Sequence, residues 1–75
     1  MKSREAHDLA DDQLVDAIRD ARQNLFNLRF QHATGQLEDT AALSRAKRDL
    51  ARVLTVARER GIDVERELRK QAANA

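Results

Sequence analysis

Between Leu14 and Leu28 the chain reads LVDAIRDARQNLFNL. Its apolar residues Leu14, Ile18, Ala21, Leu25 and Leu28 are spaced by four, three, four and three, which places them on one face of an α-helix as a heptad seam. The same rhythm returns between Leu43 and Ala57, LSRAKRDLARVLTVA, where Leu43, Ala46, Leu50, Val53 and Ala57 are spaced by three, four, three and four. The segment between the seams, His32-Ala33-Thr34-Gly35-Gln36, offers a C-cap glycine followed by polar residues, and so short a connection makes neighbouring helices antiparallel. The sequence therefore predicts an all-α fold, a long antiparallel two-helix hairpin of coiled-coil type with its turn near residues 33–38. Proline is absent and only Gly35 and Gly61 punctuate the chain, so nothing inside either arm breaks it.

Outward from the hairpin, Asp8, Asp11 or Asp12 is expected to cap the first arm and complement its dipole. Residues 2–8 are expected to form a short N-terminal helical segment that folds back on the first arm through Ala6 and Leu9. Residues 1–61 then form the hairpin domain. Residues 62–75 form a polar C-terminal extension with only Ile62, Val64 and Leu68 to bury, partly helical or frayed near its end. Arms of about twenty residues give a rod roughly 30 Å long and two helices wide. With 75 residues, 36% charged and 3% aromatic, this is one small domain with a thin core, expected to be marginal without a partner.

Several function classes fall away. With no cysteine there is no disulfide, thiolate nucleophile or Cys-ligated zinc. His7 and His32 have no ligand-spacing context, so no metal or other cofactor is expected. A two-helix rod with no Gly-rich phosphate loop and no nucleophile motif cannot wall a pocket around a small-molecule substrate, so the chain is not expected to be an enzyme. No run approaches the roughly 20 apolar residues of a membrane span, and Met1-Lys2-Ser3-Arg4-Glu5 is not followed by an apolar stretch. The protein is expected to be cytoplasmic and unprocessed.

The charge is uneven. Fourteen basic and thirteen acidic residues give +1 overall, but residues 41–60 carry six basic and two acidic groups, whereas the first twenty carry three basic and six acidic. On the second arm Arg45, Arg48 and Arg52 fall in one wedge nearly opposite the seam, with Lys47 and Arg58 on the other side of the core. Only Asp49 is placed to pair with Arg45 or Arg52 inside that helix, so the wedge is either a solvated face or a phosphate-binding one. Phe26 and Phe30, the only aromatic residues, point away from the Leu25 and Leu28 seam. Either the N-terminal segment or a broadened core covers them, or they form a docking patch for protein or RNA, with Arg19, Arg22 and Arg29 nearby.

Two stretches resemble a known family. Residues 25–31, LFNLRFQ, with Ala33-Thr34-Gly35-Gln36-Leu37, are similar to the first-arm end and hairpin turn of the large ribosomal subunit protein family numbered twenty-nine. Arg45-Ala46-Lys47-Arg48-Asp49-Leu50-Ala51-Arg52-Val53 is similar to its second-arm signature, and the likeness covers roughly residues 4–61. The resemblance implies a non-catalytic helical hairpin at the surface of the large subunit, bound to large-subunit rRNA beside the polypeptide exit tunnel. It also implies a neighbouring ribosomal protein numbered twenty-three, and possible nascent-chain factors, as protein partners. By motif match, Arg29, Arg45, Lys47, Arg48 and Arg52 are the candidate phosphate contacts. Gln31, Thr34 and Gln36 are candidates for sugar or phosphate oxygens, and Lys2 and Arg4 are further candidates on the N-terminal segment. Ala10 stands where the family often has a Ser or Thr cap. The competing reading is a coiled-coil interaction module that dimerises through its seam or its phenylalanine patch without binding RNA. An all-helical enzyme of the chorismate mutase type would need a third long helix to enclose a dicarboxylate, and the extension is a poor one.

Overall fold

Gly35 and Gly61 set the segmentation of the chain. Both hold positive φ, 75° and 73°. Each follows a helix as the left-handed residue of a Schellman motif, with paired bonds from Gly35 N to His32 O (3.2 Å) and Gln36 N to Gln31 O (2.9 Å), and from Gly61 N to Arg58 O (3.0 Å) and Ile62 N to Ala57 O (3.0 Å). The computed structural model describes residues 3–36 and 39–73. The helices are α1 (Ser3–His7), α2 (Asp11–Ala33), α3 (Ala41–Glu59) and α4 (Val64–Ala73). α2 and α3 are the expected hairpin arms and pack along each other.

The seam residues lie where the spacing put them. Leu14, Ile18, Leu25, Ala46, Val53 and Ala57 are buried, and Ala21, Leu28, Leu43 and Leu50 are half-buried. Burial is nevertheless lopsided. The main apolar cluster joins Leu14 and Ile18, early in α2, to Val53, Val56 and Ala57, late in α3, with Ala6, Leu9, Ile62 and Val64 closing over it. The core therefore sits at the open end of the hairpin, where the flanking segments add layers, and thins toward the Gly35 tip.

Three expectations are corrected. Neither Asp8 nor Asp11 caps α2: Ala10 is the N-cap residue, and Gln13 Oε1 accepts the Ala10 N–H at 3.0 Å, the return half of a capping box that needs no side chain on residue 10. Asp11 and Asp12 instead occupy the first turn and complement the dipole. The N-terminal segment docks chiefly on α3 rather than on the first arm: Ala6 joins the core cluster that holds Val56, which lies off the seam, and His7 borders Val56, Ala51 and Thr55. The protein is also broader than a two-helix rod, 37 × 30 × 14 Å, because α4 folds back onto α2. α4 has no fully buried residue: Val64 at its start packs against the core cluster, and polar contacts hold the rest of the helix. Gln71 Nε2 donates to Asp16 Oδ1 (2.7 Å), Arg19 donates to Gln71 Oε1 (3.4 Å), and Arg22 pairs with Glu65 (2.5 Å).

Arg60, the C-cap residue of α3, ties these parts together. Its guanidinium donates to the carbonyls of His7 (2.7 Å) and Leu9 (2.6 Å), at the end of α1 where no helical N–H is left to bond them, and to Asp11 Oδ1 (3.1 Å). Arg60→Met keeps the aliphatic stem but removes three charge-assisted bonds, and is expected to cost about 1–2 kcal/mol. Hydrogen exchange will show the loss as faster exchange in α1 and the first turn of α2, with the middle of α3 unaffected.

Candidate nucleic-acid interface

The solvent face of α3 is built by the same periodicity that builds its core. At about 100° per residue, Arg48, Arg52 and Arg45 fall within about 60° of one another, and Ser44, Ala51 and Thr55 form a small-residue strip beside them. Lys47 and Arg58 line the strip's other side. All of these side chains are exposed except Arg52, which is half-buried. Small residues flanked by cations let a backbone of phosphates approach closely while long basic side chains reach it from both sides.

The cations differ in how far they are already committed. Arg45 is not balanced by Asp49, as helix spacing suggested, but pairs with Asp39 (2.9 Å) from the segment before α3. Asp39 also accepts the Ala41 N–H (3.0 Å), so one carboxylate caps the helix and holds the arginine. Arg52 lies 3.9 Å from Asp49. Lys47, Arg48 and Arg58 form no ion pair or hydrogen bond through their side chains among the described residues, and the same is true of Arg29 on α2.

At the hairpin tip, Gln31, Thr34 and Gln36 are all exposed but serve the turn first. The Thr34 hydroxyl donates to Gln31 O at 3.1 Å, and that carbonyl also accepts the Gln36 N–H. Their side-chain oxygens still face solvent. Arg4 is exposed on α1, which brings it to the α3 side of the molecule. Lys2 lies outside the described residues.

Phe26 and Phe30 are 65% and 61% exposed, so neither the N-terminal segment nor the core covers them. The cations expected beside them are largely spent. Arg22 pairs with Glu65, and Arg19 is held by Asp20 (3.5 Å), Asp16 (3.8 Å) and Gln71, leaving Arg29. Phe26 also lines an open groove of about 540 Å³ with Leu68 and Ala72 of α4, and Arg19, Arg22, Gln23 and Gln71 complete its walls.

Two carboxyl groups report this pairing. Arg22, by hydrogen bond and by charge, holds the Glu65 carboxyl below its ordinary value, and the hydrogen bond from Arg45, with the Ala41 N–H, does the same for Asp39. A carboxyl with a lowered folded value contributes stability above its unfolded value and loses it as pH falls through the folded one. α4 is therefore expected to detach from α2 as pH drops below the ordinary carboxylate range, before α2 and α3 separate. Amide exchange in α4 will rise first, and Glu65→Gln will remove the step.

A family model described as Ribosomal L29 protein matches residues 4–60, which contain the hairpin and the whole α3 face. The chain belongs to the ribosomal L29 protein family. Its relatives include large ribosomal subunit protein uL29 of Maridesulfovibrio salexigens, 53% identical over 60 residues covering 80% of this chain and 94% of that one. Those of Syntrophobacter fumaroxidans and Streptomyces griseus are 47% and 45% identical, covering 80% and 85% of this chain and 91% and 86% of theirs. The family region ends where α3 does, so α4 stands outside the ribosomal L29 match. Among the described residues no cluster of His or acidic side chains could hold a metal, and no helix is long and apolar enough to cross a membrane.

Sequence reasoning missed two features of this ribosomal protein. In the sequence Arg60 is one of six cations on the second arm, and its position just before Gly61, at the end of a helix, is the signal that it faces neighbouring chain ends. The cations of α4 are hidden in the sequence because the extension sums to zero charge.

Proposed function

We propose that this protein is a structural constituent of the large ribosomal subunit that binds large-subunit rRNA near the polypeptide exit tunnel and has no catalytic role. The observation that carries this reading is the α3 face, where Lys47 and Arg48 are exposed and without protein partners among the described residues, beside Arg45 and Arg52. In a chain of +1 net charge such a face is a local phosphate-binding surface rather than general basicity. Arg29, Gln31, Thr34 and Gln36 extend the contact to the tip, and Arg4 with Lys2 extends it to the N-terminal segment. Phe26 and Phe30 are the surface for a neighbouring protein. Ribosomal protein twenty-three is the partner that the family resemblance implies, and nascent-chain factors are further candidates. The ribosome of the cytoplasm is the corresponding location.

The alternative of a seam-mediated coiled-coil dimer loses its main surface, since Leu14, Ile18, Val53 and Ala57 are already buried within one chain. The test is sedimentation of the native protein with large ribosomal subunits under rising salt. Co-sedimentation with release only at high salt is expected, with a log–log salt slope of about 0.7–0.9 per phosphate contact in an rRNA-fragment titration. A salt-insensitive homodimer that ignores rRNA would overturn the reading.

A further inference from the structure

We propose that α4 is a second RNA-contacting element, in which Arg66, Arg69 and Lys70 grip a phosphodiester segment separate from the one at α3. The proposal rests on the rRNA-binding reading of the hairpin and adds to it a surface outside the family's matched residues 4–60.

The extension has three acidic and three basic residues from Gly61 onward, and the fold gives two of the acids other partners. Asp63 Oδ1 accepts the Arg66 backbone N–H (3.2 Å) and so serves the start of α4. Glu65 is drawn to Arg22 of α2 (2.5 Å), and Glu67 is half-buried. Arg66 and Lys70 border a groove with Asp63, Glu67 and, from α2, Asp11 and Asp12, and Arg69 is not part of it. At 3.6 residues per turn Arg66, Arg69 and Lys70 share an arc of about 100°, opposite the side on which Leu68 and Gln71 meet α2. All three are exposed. Arg69 Nε donates only to the Glu65 carbonyl of its own helix (3.3 Å), Lys70 reaches Glu67 at 3.5 Å, and the Arg66 side chain has no partner among the described residues.

The polar clamp on α4 fixes which face is turned out. Gln71 bonded to Asp16, and Glu65 paired with Arg22, set the rotation of the helix about its axis, so the three cations are presented rather than left to sweep through solvent. The face fits a polyanion better than a protein surface, because its exposed residues are Arg66, Arg69, Lys70 and Ala73, with no aromatic or large aliphatic anchor. α4 packs on α2, not on the outer face of α3, so the RNA it meets is a different segment from the one met by Arg48 and Arg52.

The experiment uses the full chain with Arg66→Gln, Arg69→Gln and Lys70→Gln together, compared with wild type and with Arg48→Ala/Arg52→Ala. Each is titrated against large-subunit rRNA at several salt concentrations, with chemical footprinting of the RNA. The triple variant is expected to bind roughly tenfold more weakly, to lower the salt slope by about 2, and to lose a protected segment other than the one lost by the α3 variant. Arg66→Lys/Arg69→Lys, which keeps the charge, is expected to retain the slope and the footprint. Unchanged affinity and slope in the triple variant, while the α3 variant weakens, overturns the proposal and leaves the hairpin reading standing. Equal loss in the charge-keeping variant assigns the effect to folding of α4 and also overturns it. Failure of the wild type to bind rRNA overturns both.

Discussion

Arg48→Ala together with Arg52→Ala is expected to weaken binding to large-subunit rRNA by roughly ten- to a hundredfold and to lower the salt slope by about 1.5, with helicity nearly unchanged. The size follows from losing two guanidinium–phosphate contacts, each a charge-assisted, commonly bidentate interaction. Folding is spared because Arg48 is exposed and has no partner among the described residues, while the Arg52–Asp49 ion pair is long, 3.9 Å, and open to solvent. A pair that remote and that open to solvent contributes little to stability. Circular dichroism and an rRNA-fragment titration measure the two effects separately. Parallel loss of helicity and binding would show that the arginines serve the fold, and the α3 face would no longer be the assigned RNA surface.

Ile18→Ala should do the reverse. Ile18 is wholly buried, in one cluster with Leu14, Val53, Val56 and Ala57, where α1 and the Gly61 loop close over the hairpin. Removing its branched chain loses transfer free energy and leaves a void that rigid helices cannot fill, a cost of about 2–4 kcal/mol. That is a large share of what a domain this small can hold, so the isolated protein is expected to be substantially unfolded at physiological temperature. A seam position nearer the middle responds less: Leu50 is only half-buried, and Leu50→Ala is expected to cost about half as much. Thermal melts of both variants test the order. An rRNA fragment added to Ile18→Ala should raise its melting temperature, because a ligand that binds only the folded chain pulls the equilibrium toward it.

The hairpin and its α3 face were legible because each is a property of one helix. Spacings of three and four residues determine which side chains share a face whatever that face meets, so Leu14 to Leu28 and Leu43 to Ala57 announced the seam, and Arg45, Arg48 and Arg52 announced the wedge opposite it. The turns were legible for the same local reason, since a glycine just past an apolar-periodic run accommodates the positive φ that a Schellman motif requires.

Partner choice between segments was not legible. Whether α1 leans on α2 or α3 depends on which arm offers an apolar residue off the seam at the right height, and α3 offers Val56, which joins Ala6 in the core cluster. Which acid meets which arginine depends on chain ends brought together by folding: Arg45 found Asp39, Arg22 found Glu65, and Arg60 found the carbonyls of His7 and Leu9. Those residues are separated by as few as 6 positions and as many as 53, and no helical period connects them.

The sequence by itself thus determined the two arms, their turn and the side of α3 that faces outward, because backbone geometry repeats every 3.6 residues. Only the tertiary structure decided that the core lies at the open end, that Phe26 and Phe30 stay exposed, and that a charge-neutral extension turns a basic face to solvent. Those outcomes depend on how separate helices fill each other's surfaces, a packing problem that no single helix can solve for itself.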